Sequence, residues 1–458
     1  MELEQRSDPQ APPATRRTLV RAAAWVPALF LAACGAQEGA APARLPAQKE
    51  RVEFWVPATG ALKTTFDSLI GAANASDRQL DVQVTPQGVG IAEDSRAKFT
   101  AAVAAGSPPD LIYVDRYLVR SFGALGMIGS LQEQVRRSTG FKTADFWPYL
   151  IKDVTFKDGI WGAPFNTDVR ALFWNKGAFA DAGLDPERPP ATWDAVEVAA
   201  DRLLKRDASG GIARAGFVPQ WGNPPGLYAF FLYLWQSGGE FLSADENKPA
   251  FNDAAGLRAL EWMVRQVTRV GGAQVLQPLA TGFEAGPGRD VFTTGRLAMQ
   301  YQVSSSKPIY EENVPDVKFG TGALPLPAGG RPMNYAGGFA LSIPKAARQA
   351  DAAWRLSEFF TLKEQQLLWA RERAGIPVLK AVASSPEYLG NDPARKIFVD
   401  ELVRGAKWVP TIPGTVDVLN AFGAEFTAAI SGQKPPRDAL NTAATQVQVV
   451  LDQNKAYR

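Results

Sequence analysis

Histidine is absent from this chain of 458 residues, and cysteine occurs only once. Most transition-metal sites and acyl-transfer triads need imidazole or paired thiolates, so the composition excludes zinc proteases, zinc fingers and serine–histidine hydrolases. One cysteine also excludes an internal disulfide and a C-x-x-C redox pair. The sequence contains no phosphate-binding loop, no G-x-S-x-G nucleophile elbow and no dinucleotide fingerprint. We therefore expect neither a cofactor nor a resident metal.

An excess of one sign of charge is also missing. Lysine and arginine total 49, and aspartate and glutamate total 47, which gives a net charge of +2. A balance this even argues against a nucleic-acid partner. With 46% hydrophobic and 21% charged residues the composition is globular, and the length is sufficient for two or three domain-sized cores.

The amino terminus has the order of an export signal. Basic Arg16, Arg17 and Arg21 lead into an apolar stretch, 22–33, that is shorter than the roughly 20 residues needed to span a bilayer. We therefore predict a signal peptide over 1–33 rather than a transmembrane helix. The arginine pair is compatible with both the general and the twin-arginine export routes, which stay open.

The single cysteine has a position that suggests a function. Cys34 follows Leu31-Ala32-Ala33, which is similar to a bacterial lipobox. We predict that Cys34 becomes the lipidated first residue of the exported protein. Residues 34–50 are rich in Ala, Pro, Gln and Gly, so they are expected to form a flexible tether. The protein would then be anchored outside the cytoplasmic membrane or lie in the periplasm.

Hydrophobic periodicity predicts strands and helices in alternation. The expected strands are 52–56, 80–84, 111–114, 171–174, 297–303 and 339–343. The expected helices are 62–70, 93–105, one capped by Thr192, 226–238, 254–270 and a single long helix over 349–370. The remaining carboxyl-terminal part is predicted to be helical, with breaks at prolines. This order predicts an α/β fold built from two units.

In α/β sheets, ligands bind beyond the carboxyl ends of the strands. Two such positions stand out, Trp55–Gly60 after the first strand and Tyr113–Tyr117 after the third. Aromatic rings and carboxylates are suited to sugars, which present flat C–H faces and rings of hydroxyls. Trp55, Tyr113 and Asp115 are therefore candidate ligand contacts.

A series of short motifs, in order along the chain, resembles the extracellular solute-binding proteins of family 1, the group that includes the maltose-binding protein. The motifs are Pro109-Asp110-Leu111-Ile112, Phe122-Gly123-Ala124-Leu125-Gly126, Asp158-Gly159-Ile160-Trp161-Gly162-Ala163-Pro164, Trp174-Asn175-Lys176, Ala182-Gly183-Leu184-Asp185-Pro186, Thr192-Trp193-Asp194 and Phe292-Thr293-Thr294-Gly295-Arg296-Leu297-Ala298-Met299. The resemblance covers about residues 50 to 450.

The resemblance implies a two-lobed periplasmic binding protein-like fold of type II, with the ligand cleft between lobes that are joined by a hinge. Its threading would give a first α/β lobe of 50–167 plus 340–376 and a second of 168–339 plus 377–458. The implied function is that of the substrate-binding lipoprotein of an ABC importer, a non-enzymatic protein that closes on a carbohydrate and docks on membrane permease subunits. Such a protein is expected to be a monomer.

Further ligand contacts are expected in and around the implied cleft. Asn166, Asp168 and Arg170 lie in the predicted first crossover between lobes, and Tyr228 matches a sugar-stacking position of the family. The remaining candidates lie at strand ends, at turns and in loops: Gln220, Trp221, Gln302, Ser304, Tyr335, Gly337, Gly338 and Trp408. The two glycines are expected to let the backbone approach a ligand closely.

Other functions remain open at this stage. The same fold could bind a polyamine, a glycerophosphodiester or Fe(III) held by tyrosines, and a phosphodiester would favour Arg116 or Arg170. A secreted glycosidase would need two carboxyls about 5 to 10 Å apart. A sensor lipoprotein that presents its bound state to a membrane kinase is a further alternative.

Overall fold

The computed structural model describes residues 49–56, 60–77, 79–86, 93–157, 159–219, 226–275 and 289–457. Residues 48–458 form one compact unit. The predicted signal peptide and Cys34 lie outside the described residues, as do Gln220 and Trp221. Within the described ranges, no helix combines the length and the apolar character that a membrane span requires.

Helices and strands alternate along the first half of the chain, and helices dominate after residue 350. The helices are α1 (Gly60–Ser76), α2 (Glu93–Ala104), α3 (Arg116–Ala124), α4 (Gln132–Arg137), α5 (Pro148–Val154), α6 (Lys176–Asp181), α7 (Trp193–Leu203), α8 (Leu227–Gln236), α9 (Ala254–Arg269), α10 (Ser306–Asn313), α11 (Ala350–Phe360), α12 (Lys363–Arg373), α13 (Lys380–Ala383), α14 (Pro386–Leu389), α15 (Pro393–Arg404), α16 (Thr415–Ile430) and α17 (Pro436–Gln453). Short 3₁₀ helices cover Thr143–Asp145 and Lys455–Tyr457.

The strands form two five-stranded sheets and two small pairs. They are β1 (Glu50–Val56), β2 (Leu80–Pro86), β3 (Leu111–Asp115), β4 (Thr155–Phe156), β5 (Gly159–Ile160), β6 (Ala163–Pro164), β7 (Arg170–Asn175), β8 (Lys205–Arg206), β9 (Ile212–Phe217), β10 (Leu297–Val303), β11 (Phe319–Gly322), β12 (Asn334–Tyr335), β13 (Phe339–Ser342) and β14 (Ala406–Lys407). All six predicted strands are present, so the predicted α/β class is confirmed.

The first sheet has the strand order β2-β1-β3-β13-β6. Its strands β1, β2 and β3 run parallel, whereas β13 is antiparallel to both β3 and β6. The carboxylate of Asp110 fixes the start of β3, because it accepts backbone hydrogen bonds from Glu53, Arg348 and Gln349 at 2.9–3.0 Å. The buried strand and the segment before α11 are therefore joined through one acidic side chain.

The second sheet has the order β11-β7-β10-β9-β8, in which only β9 and β10 run parallel. The helix α7 lies next to it and begins as predicted, since the hydroxyl of Thr192 accepts from the backbone N–H of Ala195 at 3.1 Å. The separate pair β12–β14 places Tyr335 beside Lys407.

Two stretches of chain pass between the sheets. The first crossing segment, 165–169, follows β6 of the first sheet and precedes β7 of the second. The second crossing segment, 336–338, lies between β12 and β13 and leads back into the first sheet. Residues that neighbour both segments are therefore in a position to connect the two sheets.

One expected helix is wrong. The periodicity over 349–370 predicts a single helix, but the chain forms α11 and α12 with a break at Thr361 and Leu362. The hydroxyl of Thr361 donates to the carbonyl of Glu358 at 2.7 Å, and Leu362 adopts an extended conformation. The buried side chain of Gln366 then donates to the buried carbonyl of Phe360 at 2.9 Å, which satisfies the end of α11.

We expect Gln366→Leu to lower the free energy of unfolding by about 2–4 kcal/mol. The Gln366 amide also bonds the carbonyl of Phe165 and the N–H of Val378, so its loss leaves three buried backbone groups without partners. Urea denaturation measures the effect. The neighbour Gln365 is half-buried, and its Oε1 has no hydrogen-bond partner in the described part of the chain. Gln365→Leu is therefore the matched control, and equal losses in both variants would contradict this explanation.

Candidate functional site

Hydrogen bonds connect the two crossing segments directly. The carbonyl oxygen of Gly337 accepts from the Thr167 hydroxyl at 3.1 Å and from the Asp168 N–H at 3.3 Å. In return, the N–H of Gly337 donates to Oδ1 of Asp168 at 3.0 Å. The carboxylate of Asp168 also forms an ion pair with Arg170. The polar side chains predicted for the first crossover are therefore already engaged with the second crossover and with each other.

Arg116, the first residue of α3, lies against both crossing segments with its side chain fully buried. Its Nη1 donates to the carbonyl of Asn166 at 3.0 Å. Its Nη2 donates to the carbonyls of Ala336 at 3.3 Å and Gly337 at 3.0 Å. Its Nε lies 3.2 Å from a carboxylate oxygen of Asp153 on α5. This guanidinium is therefore occupied by protein groups, which disfavours the alternative in which Arg116 binds a phosphodiester.

Neighbouring protein atoms leave no room for a side chain at the two adjacent glycines. A Cβ on Gly337 would lie 2.3 Å from the ring of Trp408 and 2.9 Å from Oδ1 of Asp168. A Cβ on Gly338, whose φ is +129°, would lie 2.3 Å from the carbonyl of Asn166 and 2.4 Å from Arg116. The close approach at these glycines is therefore to side-chain and backbone atoms of the protein, and their predicted contact with ligand remains a prediction.

Asp115 is the residue whose carboxylate is left available. It ends β3 and precedes α3, yet its side chain does not cap that helix, and among the described residues it makes no hydrogen bond. The residue is 9% exposed. Burial, reinforced by the negative charge of Asp168, raises its pKa to about 7 in spite of the neighbouring Arg116. A group that stabilises the ionised carboxylate by donating hydrogen bonds would therefore bind there favourably.

The raised pKa of Asp115 predicts a pH-dependent effect of Asp115→Asn on stability. Because the folded pKa is about 7 and the ordinary value is 3.8, the folded protein holds a proton that the unfolded chain has lost between those values. The stability of the native protein relative to the variant therefore falls as pH rises from 4 to 7. At pH 8 the variant should melt about 3 °C higher than the native protein.

Melting curves of the two proteins between pH 4.5 and 8.5 measure this difference. At pH 4.5 the two melting temperatures should nearly coincide, because Asp115 is then neutral in the folded protein as well. A melting-temperature difference that is constant over the whole range would contradict the account.

An aromatic cluster lies next to these carboxylates, formed by Tyr228 and Trp235 of α8, Tyr335 of β12, and Trp408. The ring of Tyr335 lies nearly parallel to the other three, with centroids 6.0 Å from Tyr228, 6.2 Å from Trp235 and 5.6 Å from Trp408. Burial raises the pKa of Tyr335 well above its usual value, and the charges of Asp168 and Asp115 raise it further, although Arg170 opposes them. The aromatic cluster and the two carboxylates therefore share one site.

Two arginines contact the aromatic cluster through ring faces. The guanidinium carbon of Arg170 lies 4.8 Å from the ring centroid of Tyr335, and that of Arg116 lies 5.0 Å from Trp408. Trp408 also stacks on Tyr117 of α3 at 6.4 Å. These contacts fix the rings in place and leave Tyr228, which is half-buried, at the margin of the aromatic cluster.

A cavity of about 420 Å³ adjoins the aromatic cluster. Trp235 and Trp408 line it together with polar side chains that include Asp153, Tyr149, Glu240 and Lys407. Lys407 forms an ion pair with Glu240 at 2.5 Å. The indole N–H of Trp408 is buried and has no acceptor in the described part of the chain. This volume lies within the range of small-molecule sites, and its lining combines aromatic faces with hydrogen-bonding groups.

Other predicted contacts lie elsewhere. Tyr113 has its ring in the core of the first sheet, stacked on Phe339 at 4.3 Å, and its hydroxyl accepts from Asn166 at 2.9 Å. Trp55 lies within β1 rather than after it, and its indole N–H donates to Glu53 at 2.8 Å. Gln302 accepts from the Ser306 hydroxyl at 3.0 Å. None of these three is brought to the aromatic cluster by a contact among the described residues, and their ligand roles remain predictions.

The sequence reasoning missed several residues of this site. Tyr149 and Asp153 carry no recognisable motif, because only the folded chain brings them next to Arg116. Trp235 is a buried residue, 3% exposed, and it also stacks on Tyr335. Its spacing of seven residues from Tyr228 places both on one helix face, and this signal could have grouped them.

Comparison with known proteins gives a consistent family. Residues 59–367 match the model of a family described as bacterial extracellular solute-binding protein. Among curated proteins, the chain is 25% identical over 416 residues to the sn-glycerol-3-phosphate-binding periplasmic protein UgpB of Brucella melitensis. That match covers 85% of this chain and 90% of the relative.

Solved structures of similar fold cover most of the described chain. A cyclic alpha-maltosyl-1,6-maltose binding protein from Arthrobacter globiformis matches with a TM-score of 0.74 and 27% identity, over 88% of this chain and all of that one. An ABC transporter solute-binding protein from Thermotoga lettingae, bound to alpha-D-tagatose, matches with a TM-score of 0.73 and 26% identity over the same shares. UgpB from Mycobacterium tuberculosis, in complex with glycerophosphocholine, has a TM-score of 0.73 at 20% identity, covering 89% of this chain and all of its own.

Proposed function

The chain belongs to the bacterial extracellular solute-binding protein family, and on that premise we propose that it binds a carbohydrate at the site around Asp115 and the aromatic cluster. Two lobes, 50–167 plus 340–376 and 168–339 plus 377–458, close on the ligand about the crossing segments. The closed protein delivers the carbohydrate to the permease subunits of an ABC importer. It acts by binding, as a monomer, and catalyses no reaction.

The observation that carries this proposal is the buried carboxylate of Asp115, which no described residue hydrogen-bonds, together with a cluster of nearly parallel aromatic rings. Sugar hydroxyls donate charge-assisted hydrogen bonds to such a carboxylate, and the C–H faces of a sugar ring pack on aromatic faces. The cavity of about 420 Å³, which Trp235 and Trp408 of the aromatic cluster line, has room for a ligand of more than one ring. The sugar ligands named for two similar structures agree with this chemistry.

A second candidate ligand is a glycerophosphodiester, because curated relatives with 25% identity are named for glycerol-3-phosphate binding. The charges at the site favour the carbohydrate. Arg116 donates hydrogen bonds to three carbonyls and forms an ion pair with Asp153, and Arg170 forms an ion pair with Asp168. Both arginines are therefore already paired with protein carboxylates. A phosphate would in addition lie near the ionised form of Asp115. A polyamine would suit the carboxylates and remains a third ligand class to test.

The export features complete the proposal. Residues 1–33 act as a signal peptide and Cys34 receives the lipid, so that 34–50 tether the protein outside the cytoplasmic membrane. The periplasmic relatives support an extracytoplasmic location. Metabolic labelling with a fatty acid tests the anchor: native protein should incorporate the label, and Cys34→Ser should not.

A thermal-shift screen tests the ligand class. The panel contains mono- and oligosaccharides, polyols, polyamines and glycerophosphodiesters at millimolar concentration. A ligand at 100 times its dissociation constant stabilises the native state by about 2.7 kcal/mol, so micromolar binding raises the melting temperature. We expect shifts confined to carbohydrates. If only polyamines or phosphodiesters raised the melting temperature, the family assignment would stand and the proposed carbohydrate ligand would be wrong.

The absence of catalysis needs its own assay. Incubation of the protein with the oligosaccharides of the panel should release no new reducing ends over a day. Release that is abolished by Asp115→Asn would replace the binding function with that of a glycosidase.

A further inference from the structure

Arg116 directly follows Asp115, so both residues lie at the amino-terminal end of α3. The carboxylate of Asp115 makes no hydrogen bond to any described residue, whereas Arg116 directs its guanidinium to the two crossing segments. The backbone N–H of Arg116 adds a bond of 3.2 Å to the carbonyl of Gly338. A displacement of this helix end toward a ligand therefore also displaces the group that holds both crossing segments.

The guanidinium joins segments that are far apart in sequence. Its N–H groups donate to the carbonyl of Asn166 in the first crossing segment and to the carbonyls of Ala336 and Gly337 in the second. A further N–H group donates to the carboxylate of Asp153 on α5. Because the guanidinium is planar and its donors form a rigid fork, the carbonyls it binds keep a fixed relative position. The two crossing segments therefore cannot move independently while Arg116 is in place.

Arg116 also contacts the aromatic cluster itself. Trp408 lies over the guanidinium at 5.0 Å, and the same ring stacks on Tyr335 at 5.6 Å. Tyr149 lies on the guanidinium as well, at 5.7 Å. The aromatic cluster and both crossing segments thus contact one side chain, that of the residue directly after Asp115.

The burial of this charge is difficult to explain by stability alone. Replacing a buried ion pair by apolar residues is often neutral or stabilising, since removing both charges from water is costly. Burial keeps the pKa of Asp153 raised, to about 6, even with Arg116 beside it. The desolvation cost of the buried Arg116–Asp153 pair is better explained by the positions that Arg116 imposes on the crossing segments.

We propose that Arg116 is a positioning residue that couples ligand capture at Asp115 to the angle between the lobes, by holding both crossing segments through a single guanidinium. The proposal rests on the carbohydrate-binding function and extends it. Arg116 does not touch the ligand. It sets the fraction of protein that closes when a ligand is present, and the measured affinity scales with that fraction.

The first test needs no ligand. Hydrogen–deuterium exchange of the native protein and Arg116→Lys compares the protection of the crossing-segment amides. Lysine keeps the charge beside Asp153 but lacks the planar fork, so the amides of Asp168 and Gly337 should exchange about tenfold faster. Arg214→Lys is the matched control, since Arg214 is also buried but donates to the carbonyl of Leu203, away from the crossing segments. Unchanged exchange at Asp168 and Gly337, or equal acceleration in the control, would overturn the proposal.

The second test uses the strongest ligand from the thermal-shift panel. Small-angle X-ray scattering measures the decrease in radius of gyration on saturation, and calorimetry measures affinity. Arg116→Lys should bind about tenfold more weakly and contract less at saturation, whereas Arg214→Lys should behave as the native protein. Native affinity with full contraction in Arg116→Lys would overturn the proposal.

Two further cases are covered, failure of Arg116→Lys to fold and failure of the native protein to bind a carbohydrate. If Arg116→Lys does not fold, the double variant Arg116→Met with Asp153→Asn removes both buried charges and is measured in the same way, with the same expected and contradicting results. If no carbohydrate binds the native protein, the proposed ligand class fails, while the exchange experiment still decides the role of Arg116.

Discussion

Asp115→Asn should weaken carbohydrate binding by about 100-fold at pH 8, because a carboxylate that accepts two charge-assisted hydrogen bonds is replaced by a neutral amide. At that pH Asp115 is mostly ionised, and the described part of the protein gives it no hydrogen-bond donor of its own. A ligand hydroxyl would therefore meet no competing hydrogen bond from the described residues at this carboxylate. Isothermal titration calorimetry of both proteins measures the difference.

The same substitution is expected to raise the melting temperature at pH 8 while it weakens binding. These opposite effects distinguish the loss of a ligand contact from partial unfolding, because partial unfolding would lower both the melting temperature and the affinity. Asp194→Asn, on the first turn of α7, is the matched surface control and should bind as the native protein does. Retention of native affinity in Asp115→Asn would remove Asp115 from the site.

Tyr228→Ala should weaken binding by about 10- to 100-fold, since stacking of a sugar on an aromatic ring and the apolar area it buries are lost together. The ring is half-buried at the start of α8 and lies parallel to Tyr335 at 6.0 Å. Removing it leaves the more deeply buried rings of Tyr335 and Trp235 in place. Calorimetry with the same carbohydrate measures the loss.

Tyr228→Phe is the control for this prediction, because it keeps the ring and removes the hydroxyl. It should lose less than about fivefold if stacking dominates. If phenylalanine were as damaging as alanine, the hydroxyl would carry the interaction and the stacking account would be wrong. Unfolding curves of both variants show whether a loss of affinity comes from destabilisation of the protein rather than from the missing ligand contact.

Much of the fold follows from hydrophobic patterning. The strand expected over 297–303 is observed with those bounds, and the buried run 111–114 is observed as Leu111–Asp115. The ordered motifs also predicted the family correctly, and the similar solved structures confirm the type II binding-protein fold. Periodicity failed at Thr361 because a side-chain amide, Gln366, satisfies the helix end from the next helix, and apolar spacing alone does not contain that information.

The site was harder to predict, for a physical reason. Residues at strand ends, such as Asp115, could be proposed as ligand contacts because ligands of α/β sheets bind beyond the carboxyl ends of the strands. The role of Arg116 depends on carbonyls 50 and 221 residues away, so no local pattern indicates it. For Gly337 and Gly338, the sequence predicted a close approach, but only the packed structure identifies Trp408 and Arg116 as the groups that approach.

The most direct test of the account is the pH dependence of binding, measured by calorimetry with the carbohydrate that gives the largest thermal shift. Hydroxyl donors favour the ionised form of Asp115, whose pKa is about 7 without ligand. The account predicts one ligand per protein, with an affinity that falls as the pH is lowered from 8 to 6, by up to about tenfold per unit below the pKa. An affinity that does not depend on pH would contradict this account. A heat of binding that is measured only with phosphodiesters or polyamines would also contradict it.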